Sequence, residues 1–169
     1  MKNLIIIIFA FLSLLILYSF VYKSDKRPQN ITLIKIFKNK RLMQVYNKST
    51  LVKTYKISLG KQPLGHKQFE GDNKTPEGIY YINGKNPNSL YHKNLGISYP
   101  NKHDKSFAKK HGKSAGGLIK IHGLPNGKGK IGKLHLMYDW TAGCIAVTNK
   151  EIDEIYSATK VGVKIIINK

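Results

Sequence analysis

A mainly β domain is what this sequence predicts. Short runs of β-branched and aromatic residues recur from residue 31 onward, turn-forming residues separate them, and helical periodicity is weak almost everywhere. The 169 residues are one domain's worth, and 41% hydrophobic content suffices for a modest core. Ile31 to Phe37 and Arg41 to Tyr46 are β-prone runs split by Lys38-Asn39-Lys40, which predicts a hairpin. Leu51 to Leu59 predicts a third strand, closed by Gly60. From Gly60 to Gly78 the chain reads as loop, with Gly71-Asp72-Asn73 and Thr75-Pro76-Glu77-Gly78 as turn formers. Ile79 to Ile82 resumes a strand, Asn83 to Ser89 reads as turn-rich, and Leu95 to Tyr99 predicts another short strand. A polar helical stretch covers His103 to Lys110. Leu118 to Ile121 predicts a strand that delivers His122 at its end, and Ile145 to Val147 one that Gly143-Cys144 opens. A helix follows Thr148, where Thr148 and Glu151 stand at capping-box spacing and Ile152, Ile155 and Tyr156 form an apolar stripe. Gly162 to Asn168 is a last strand, apolar enough to be central.

The first 22 residues stand apart. Leu4 to Tyr22 carries no charge, and as a helix it would span roughly 28 Å, the hydrocarbon thickness of a bilayer. A cleaved signal peptide and an uncleaved transmembrane signal anchor both fit such a segment. Tyr18-Ser19-Phe20-Val21-Tyr22 offers no small-x-small cleavage site, so the anchor is preferred. Residues 23–30 then read as a linker, and 31–169 as the folded domain. Lys23, Lys26 and Arg27 follow the segment while Lys2 alone precedes it, so flanking charge does not favour export.

Lys and Arg number 29 against 9 Asp and Glu, and setting Lys2 aside leaves +19 on the remainder. Such a field favours polyanions. The basic residues are nearly all lysine, spread along the chain without a nucleic-acid-binding motif, so nucleic acid is not the expected partner. Anionic envelope polymers or phospholipid head groups fit better. A Lys-, Asn- and Ile-rich composition inherited from the genome is the competing explanation; it accounts for the lysines but not for the scarcity of carboxylates.

Cys144 is the single cysteine and can form no internal disulfide. A lone cysteine is more often an inert buried hydrophobe than a nucleophile, so its surroundings have to decide. His122 at the end of one predicted strand and Cys144 at the start of another could face each other, and an imidazole can take the proton a thiol must lose. Gly143 lets the backbone turn sharply before the cysteine and lets a substrate carbonyl approach. One cysteine and no paired-histidine spacing imply no metal, and nothing implies a cofactor.

Taken in order, Ile121-His122-Gly123 and Asp139-Trp140-Thr141-Ala142-Gly143-Cys144-Ile145-Ala146 resemble the signature of the L,D-transpeptidase catalytic domain, the YkuD family, in which an [S/T]-x-G-C segment follows an upstream His-Gly. Glu70 to Tyr80 resembles that family's turn before a core strand. The Asp-Trp-Thr-x-Gly-Cys-Ile-Ala form is similar to the YafK-type branch of murein L,D-transpeptidases, which includes an enzyme that detaches a lipoprotein from peptidoglycan. The resemblance implies a YkuD-like β-sandwich with one or two short helices. It implies Cys144 as nucleophile toward the L-centre carbonyl of diaminopimelate in a peptidoglycan stem peptide, and His122 as general base oriented by the Gly123 carbonyl. It also implies the Gly143 and Cys144 amides as oxyanion hole. Transfer to a second stem gives a 3-3 crosslink, transfer to a protein lysine links a lipoprotein to murein, and transfer to water is hydrolysis.

Two departures matter. Many family members carry Arg two positions after the cysteine, where this chain has Ala146. The interval from His122 to Cys144 is long and contains His135, a second candidate base; His122 is preferred because it stands beside glycine at a strand end. Thr141, Asp139, Trp140 and His135 are the substrate-binding candidates. Trp140 and Tyr138 are expected to pack under the catalytic loop, Asp139 either to bind a substrate ammonium or to cap local amides, and Glu70 or Asp72 could line the cleft. Three functions remain open: a transpeptidase, a hydrolase of the same fold, and a non-catalytic basic module that binds the envelope. Stem peptides lie outside the cytoplasmic membrane, so the expected placement is periplasmic or extracytoplasmic, with the anchor N-in and C-out.

Overall fold

In β1 (Ile31–Phe37) Ile34 and Ile36 are fully buried while their neighbours are partly exposed, the period-two pattern of a strand with one face on the core. The computed structural model describes residues 28–169, so the expected anchor (1–22) and most of the linker (23–30) lie outside the described residues. β1 pairs antiparallel with β2 (Leu42–Asn47) through the predicted turn, which forms one 3-10 turn over Lys38–Lys40. β2 starts one residue later than expected because Arg41 takes a left-handed conformation that closes the turn. β3 (Thr50–Lys56) pairs antiparallel with β2 and ends earlier than predicted. Ile57 keeps one hydrogen bond to the Arg41 carbonyl at 3.0 Å, and Ser58 to Gly60 then peel away, with isolated bridges from Ser58 to Ala146 and from Gly60 to Thr141.

The remaining strands are β4 (Gly78–Ser89), β5 (His92–Ile97), β6 (Lys120–His122), β7 (Ile145–Ala146) and β8 (Thr159–Asn168), and the eight make one curled sheet in the order β3-β2-β1-β8-β4-β5-β6-β7. β8 is central, parallel to β1 on one side and antiparallel to β4 on the other. β4 is the hinge of the architecture: Gly78 to Tyr81 pair with β8, and Ile82 to Ser89 pair with β5. The sheet therefore folds over itself, and Tyr80, Ile82, Leu95, Ile97, Ile121, Ile145 and Ile165 meet between its two halves. The expectation of a turn over Asn83 to Ser89 is corrected here. Asn, Gly and Pro are poor strand formers, but the ladder to β5 carries them, with register shifts absorbing the misfits between Ile82 and Gly84 and between Asn86 and Ser89. The far edges of the sheet also meet, since Ser58 and Ala146 exchange backbone hydrogen bonds of 3.0 and 2.9 Å.

Among the described residues two α-helices complete the fold: α1 (Lys102–Lys110) and α2 (Asn149–Ala158). α2 has the capping box predicted from Thr148 and Glu151 and lays Ile152 and Ile155 into the core. α1 has an unpredicted box of its own, from Asn101 and Asp104. None of the helices among the described residues is long and apolar enough to cross a membrane.

Lys38 staples the long 60–78 loop to the first hairpin. Its side chain is 2% exposed, and Nζ donates to the Gly65 carbonyl at 2.6 Å, the Thr75 carbonyl at 2.8 Å and Glu77 Oε1 at 2.8 Å. Burial lowers its pKa, and the Glu77 carboxylate opposes that shift. Lys38→Met leaves Glu77 and two carbonyls without their donor, and is expected to lower the unfolding free energy by about 2–4 kcal/mol in urea titrations.

Candidate active site

β6 and β7 run parallel, with Ile121 opposite Ile145 and His122 opposite Ala146. This register brings the His-Gly and Gly-Cys segments, separated by some twenty residues in sequence, onto adjacent strands, and Cys144 stands one residue before β7. Both side chains open on one cleft of about 550 Å³, walled also by Tyr91, Trp140, Leu118, Lys120 and Lys61. Ile121 and Ile145 are anchored in the core directly beneath, so the two reactive groups stand on rigid backbone.

The His122 side chain is held on all sides and is only 5% exposed. Nδ1 lies 2.7 Å from the Gly123 carbonyl, and a carbonyl can only accept, so Nδ1 carries the proton and Nε2 keeps its lone pair. The Tyr91 ring lies 4.6 Å away between centroids, and Trp140 presents an edge-on contact at 5.6 Å. Burial pushes the imidazole down to about 4; the bond to Gly123 resists this, while Lys120 and His135 add to it. A Cβ on Gly123 would stand 2.7 Å from Asn149 Oδ1 and 3.1 Å from Ile152, so glycine is what lets α2 pack against the base. The same Asn149 oxygen accepts from the Leu124 amide at 2.8 Å.

Cys144 is half-buried, and its Sγ donates weakly to the Leu118 carbonyl at 3.6 Å. Burial pushes the thiol up, with the Lys120 amide, the Lys120 ammonium and Lys67 opposing. At neutral pH the resting site therefore holds a protonated thiol and a neutral imidazole.

An imidazole with its pKa near 4 is unprotonated throughout the neutral range and takes up a proton only as pH falls through about 4. The acid limb of any reaction that draws on the His122 lone pair is expected near that value, well below an ordinary histidine limb, with circular dichroism confirming that the fold persists at the lowest pH used. Stability moves in the same direction. Between about 6.5 and 4 the unfolded chain binds a proton that folded His122 does not, so stability falls as pH is lowered through that window.

The turn before the cysteine is built by Thr141. Its Oγ1 accepts from the Gly143 amide at 3.1 Å and donates to the Cys144 carbonyl at 2.8 Å. The Thr141 hydroxyl is thus engaged within the loop, although Thr141 also lines the cleft, and the Gly143 N–H is given to Thr141. Gly143 is needed for its backbone: φ is +128°, and a Cβ there would stand 2.6 Å from the Lys74 carbonyl oxygen.

Asp139 is likewise engaged. Arg41 holds its carboxylate in a fork, Nε at 3.0 Å and Nη2 at 2.7 Å from Oδ2, and Oδ1 accepts from the Leu59 amide at 2.8 Å. It caps and ties local backbone, and no charge is left over for a substrate ammonium. His135 is buried behind Trp140, whose Nε1 lies 3.4 Å from His135 Nδ1, and it does not line the cleft. Its Nε2 has no hydrogen-bond partner among the described residues, and burial lowers its pKa. Trp140 walls the cleft instead of lying under the loop, and Tyr138 is 68% exposed. Asp72 ties its own loop by accepting from the Gln68, Phe69 and Lys74 amides, while Glu70 lines a neighbouring cavity of about 630 Å³. That cavity shares Leu118, Lys120 and Ala142 with the first.

Sequence reasoning missed several cleft residues, Lys120, Tyr91, Lys61 and Leu118 among them. Lys120 was readable, because it stands two positions before His122 on the same strand and so faces the same way. Tyr91, Lys61 and Leu118 come from loops and carried no local signal. Leu118, expected in a strand, sits in the left-handed region at φ 57° with its side chain 82% exposed, and this turn aims its carbonyl at the thiol. Among the described residues no group of three or more His, Cys, Asp or Glu is arranged to hold a metal.

Comparison with known proteins gives a consistent picture. A family model for the L,D-transpeptidase catalytic domain, YkuD, matches residues 31–167. The chain is 36% identical over 130 residues to YafK of Escherichia coli (strain K12), a provisionally assigned L,D-transpeptidase; the match covers 73% of this chain and 45% of the relative. Among solved structures it is similar to the helical cell shape determining protein Pgp2 of Campylobacter jejuni, at TM-score 0.64 and 26% identity over 86% of this chain and 52% of that one. An L,D-transpeptidase from Mycobacterium smegmatis shares the fold at TM-score 0.53 and 15% identity, over 81% of this chain and 58% of that one. The chain spans about half the length of these proteins.

Proposed function

Because the chain belongs to the YkuD family of L,D-transpeptidase catalytic domains, we propose that it transfers acyl groups between peptidoglycan stem peptides through a thioester on Cys144. The observation that carries this reading is the shared cleft of Cys144 and His122, in which the bond from Nδ1 to Gly123 leaves the basic nitrogen Nε2 unprotonated. His122 Nε2 takes the thiol proton as Sγ attacks the L-centre carbonyl of diaminopimelate in the donor stem. The tetrahedral oxyanion is met by the Cys144 amide. Collapse breaks the amide bond, and the departing amine takes the proton from His122, leaving the thioester. A second stem's amine then attacks, His122 accepts its proton, and the thiol is restored as the 3-3 crosslink leaves.

The domain works on the outer side of the cytoplasmic membrane, tethered by residues 1–22, and its basic surface suits an anionic envelope. A murein-linked lipoprotein is an alternative acyl acceptor. Mass spectrometry of muropeptides after incubation of purified sacculi with the wild-type protein and Cys144→Ala tests the reading. New 3-3 crosslinks that depend on Cys144 support it. Cys144-dependent release of peptide or lipoprotein without crosslinks identifies water as the acceptor, and products unchanged by the substitution would refute cysteine chemistry altogether.

A further inference from the structure

The cleft beside Cys144 contains two ammonium groups and no carboxylate. Lys120 and Lys61 both line it, and among the described residues neither has an ion-pair partner. The other polar walls nearby are the neutral side chains Asn86, Asn88 and Asn94. Lys120 is the more telling of the two, because it is half-buried on β6 while Lys61 stands exposed at the rim. A partly desolvated ammonium without a counter-ion carries a cost that a ligand carboxylate would remove. The two fully buried lysines among the described residues are paired, Lys38 with Glu77 and Lys67 with Asp72. Half-buried Lys120 has no such partner and stands in the wall of the candidate cleft.

Its position is also specific. It precedes His122 by two residues on the same strand, and it belongs to the wall shared by the two neighbouring cavities, as do Leu118 and Ala142. Position 146, two after the cysteine, is a fully buried alanine and offers no charge.

Resting on the acyl-transfer reading above, we propose that Lys120 is the specificity-determining residue of the cleft and binds a free carboxylate of the acyl-donor stem, with Lys61 adding attraction at the mouth. An ammonium is a compact point charge, so it selects for the presence of a carboxylate more than for its orientation, unlike the rigid fork of a guanidinium. Lys61, being exposed and screened, contributes less.

The single tryptophan, Trp140, lines the same cleft, so its fluorescence reports binding without any turnover. The experiment titrates Cys144→Ala and Cys144→Ala/Lys120→Gln with three synthetic tetrapeptide stems. One has free carboxyls, one is amidated on the distal carboxyl of diaminopimelate, and one is amidated on the terminal alanine. In Cys144→Ala, one of the amidations is expected to weaken binding about tenfold, the worth of a charge-assisted contact, and identifies which carboxylate is held. In the double variant that discrimination is expected to vanish. Equal binding of all three peptides to Cys144→Ala, or discrimination that survives Lys120→Gln, would overturn the proposal. A wild-type protein that discriminates in binding but forms no thioester in mass spectra would instead refute the acyl-transfer reading and leave the carboxylate site standing.

Discussion

Cys144→Ala is expected to abolish thioester formation with a tetrapeptide stem, a loss on the order of 10⁴-fold or more in acyl transfer, while the domain stays folded. No other cysteine exists in the chain to take over the role. The thiol is half-buried and makes one weak hydrogen bond, to Leu118, so its removal should cost the fold about 1 kcal/mol or less. Intact-protein mass spectrometry after incubation with donor peptide reads the first effect, and thermal unfolding reads the second. Acylation of the alanine variant at the wild-type level would eliminate the mechanism. A large stability loss would show instead that the cysteine is chiefly a packing residue.

Gly143→Ala carries the largest expected effect on stability. The backbone there has φ +128°, a conformation that side chains rarely adopt, and the added carbon would stand 2.6 Å from the Lys74 carbonyl oxygen, which is main chain and cannot swing aside. Either the turn or the 60–78 loop must move. A loss of about 3 kcal/mol or more in unfolding free energy is expected, measured in urea. Displacement of Cys144 by even a fraction of an ångström relative to His122 should also slow acylation by about 10²-fold in whatever fraction remains folded. A variant as stable as the wild type would mean that the Thr141-Gly143-Cys144 turn is not held as described.

Much of this was readable in the residues. Thr148 and Glu151 announced α2 because capping is a local affair, settled within four residues. β-Prone runs on either side of a turn placed β1 and β2, and the apolar run of β8 marked it as the strand with neighbours on both sides. His122-Gly123 and Gly143-Cys144 stood out through their glycines, which the structure requires for packing against α2 and for the turn. What could not be read depended on partners distant in sequence. Whether Asp139 would bind a ligand or cap local amides stayed open because Arg41, which pairs with it, lies 98 residues earlier. The two hydrogen bonds of the Thr141 hydroxyl could not be read because they belong to the shape of a turn and not to any pattern of residue types. Asn83 to Ser89 looked like a turn because pairing with β5 overrides weak intrinsic preference. Lys120 alone was within reach and overlooked, since alternation along a strand puts the residue two before His122 on the same face.

The bridge between Ser58 and Ala146 has a bearing on how this site could be controlled. β7 is two residues long, yet it is bonded on both flanks, to β6 through the Val147 amide and the His122 carbonyl, and to Ser58 through a reciprocal pair. A strand so enclosed has no edge from which to fray, and its local opening should demand nearly the whole free energy of unfolding. Cys144, one residue before that strand, is thus insulated from the breathing of its own backbone. Control of access, whether by an inhibitor or a partner, has to act on the loop walls of the cleft, the Tyr91 hairpin end and the Leu118 turn, and not on the strand that follows the thiol.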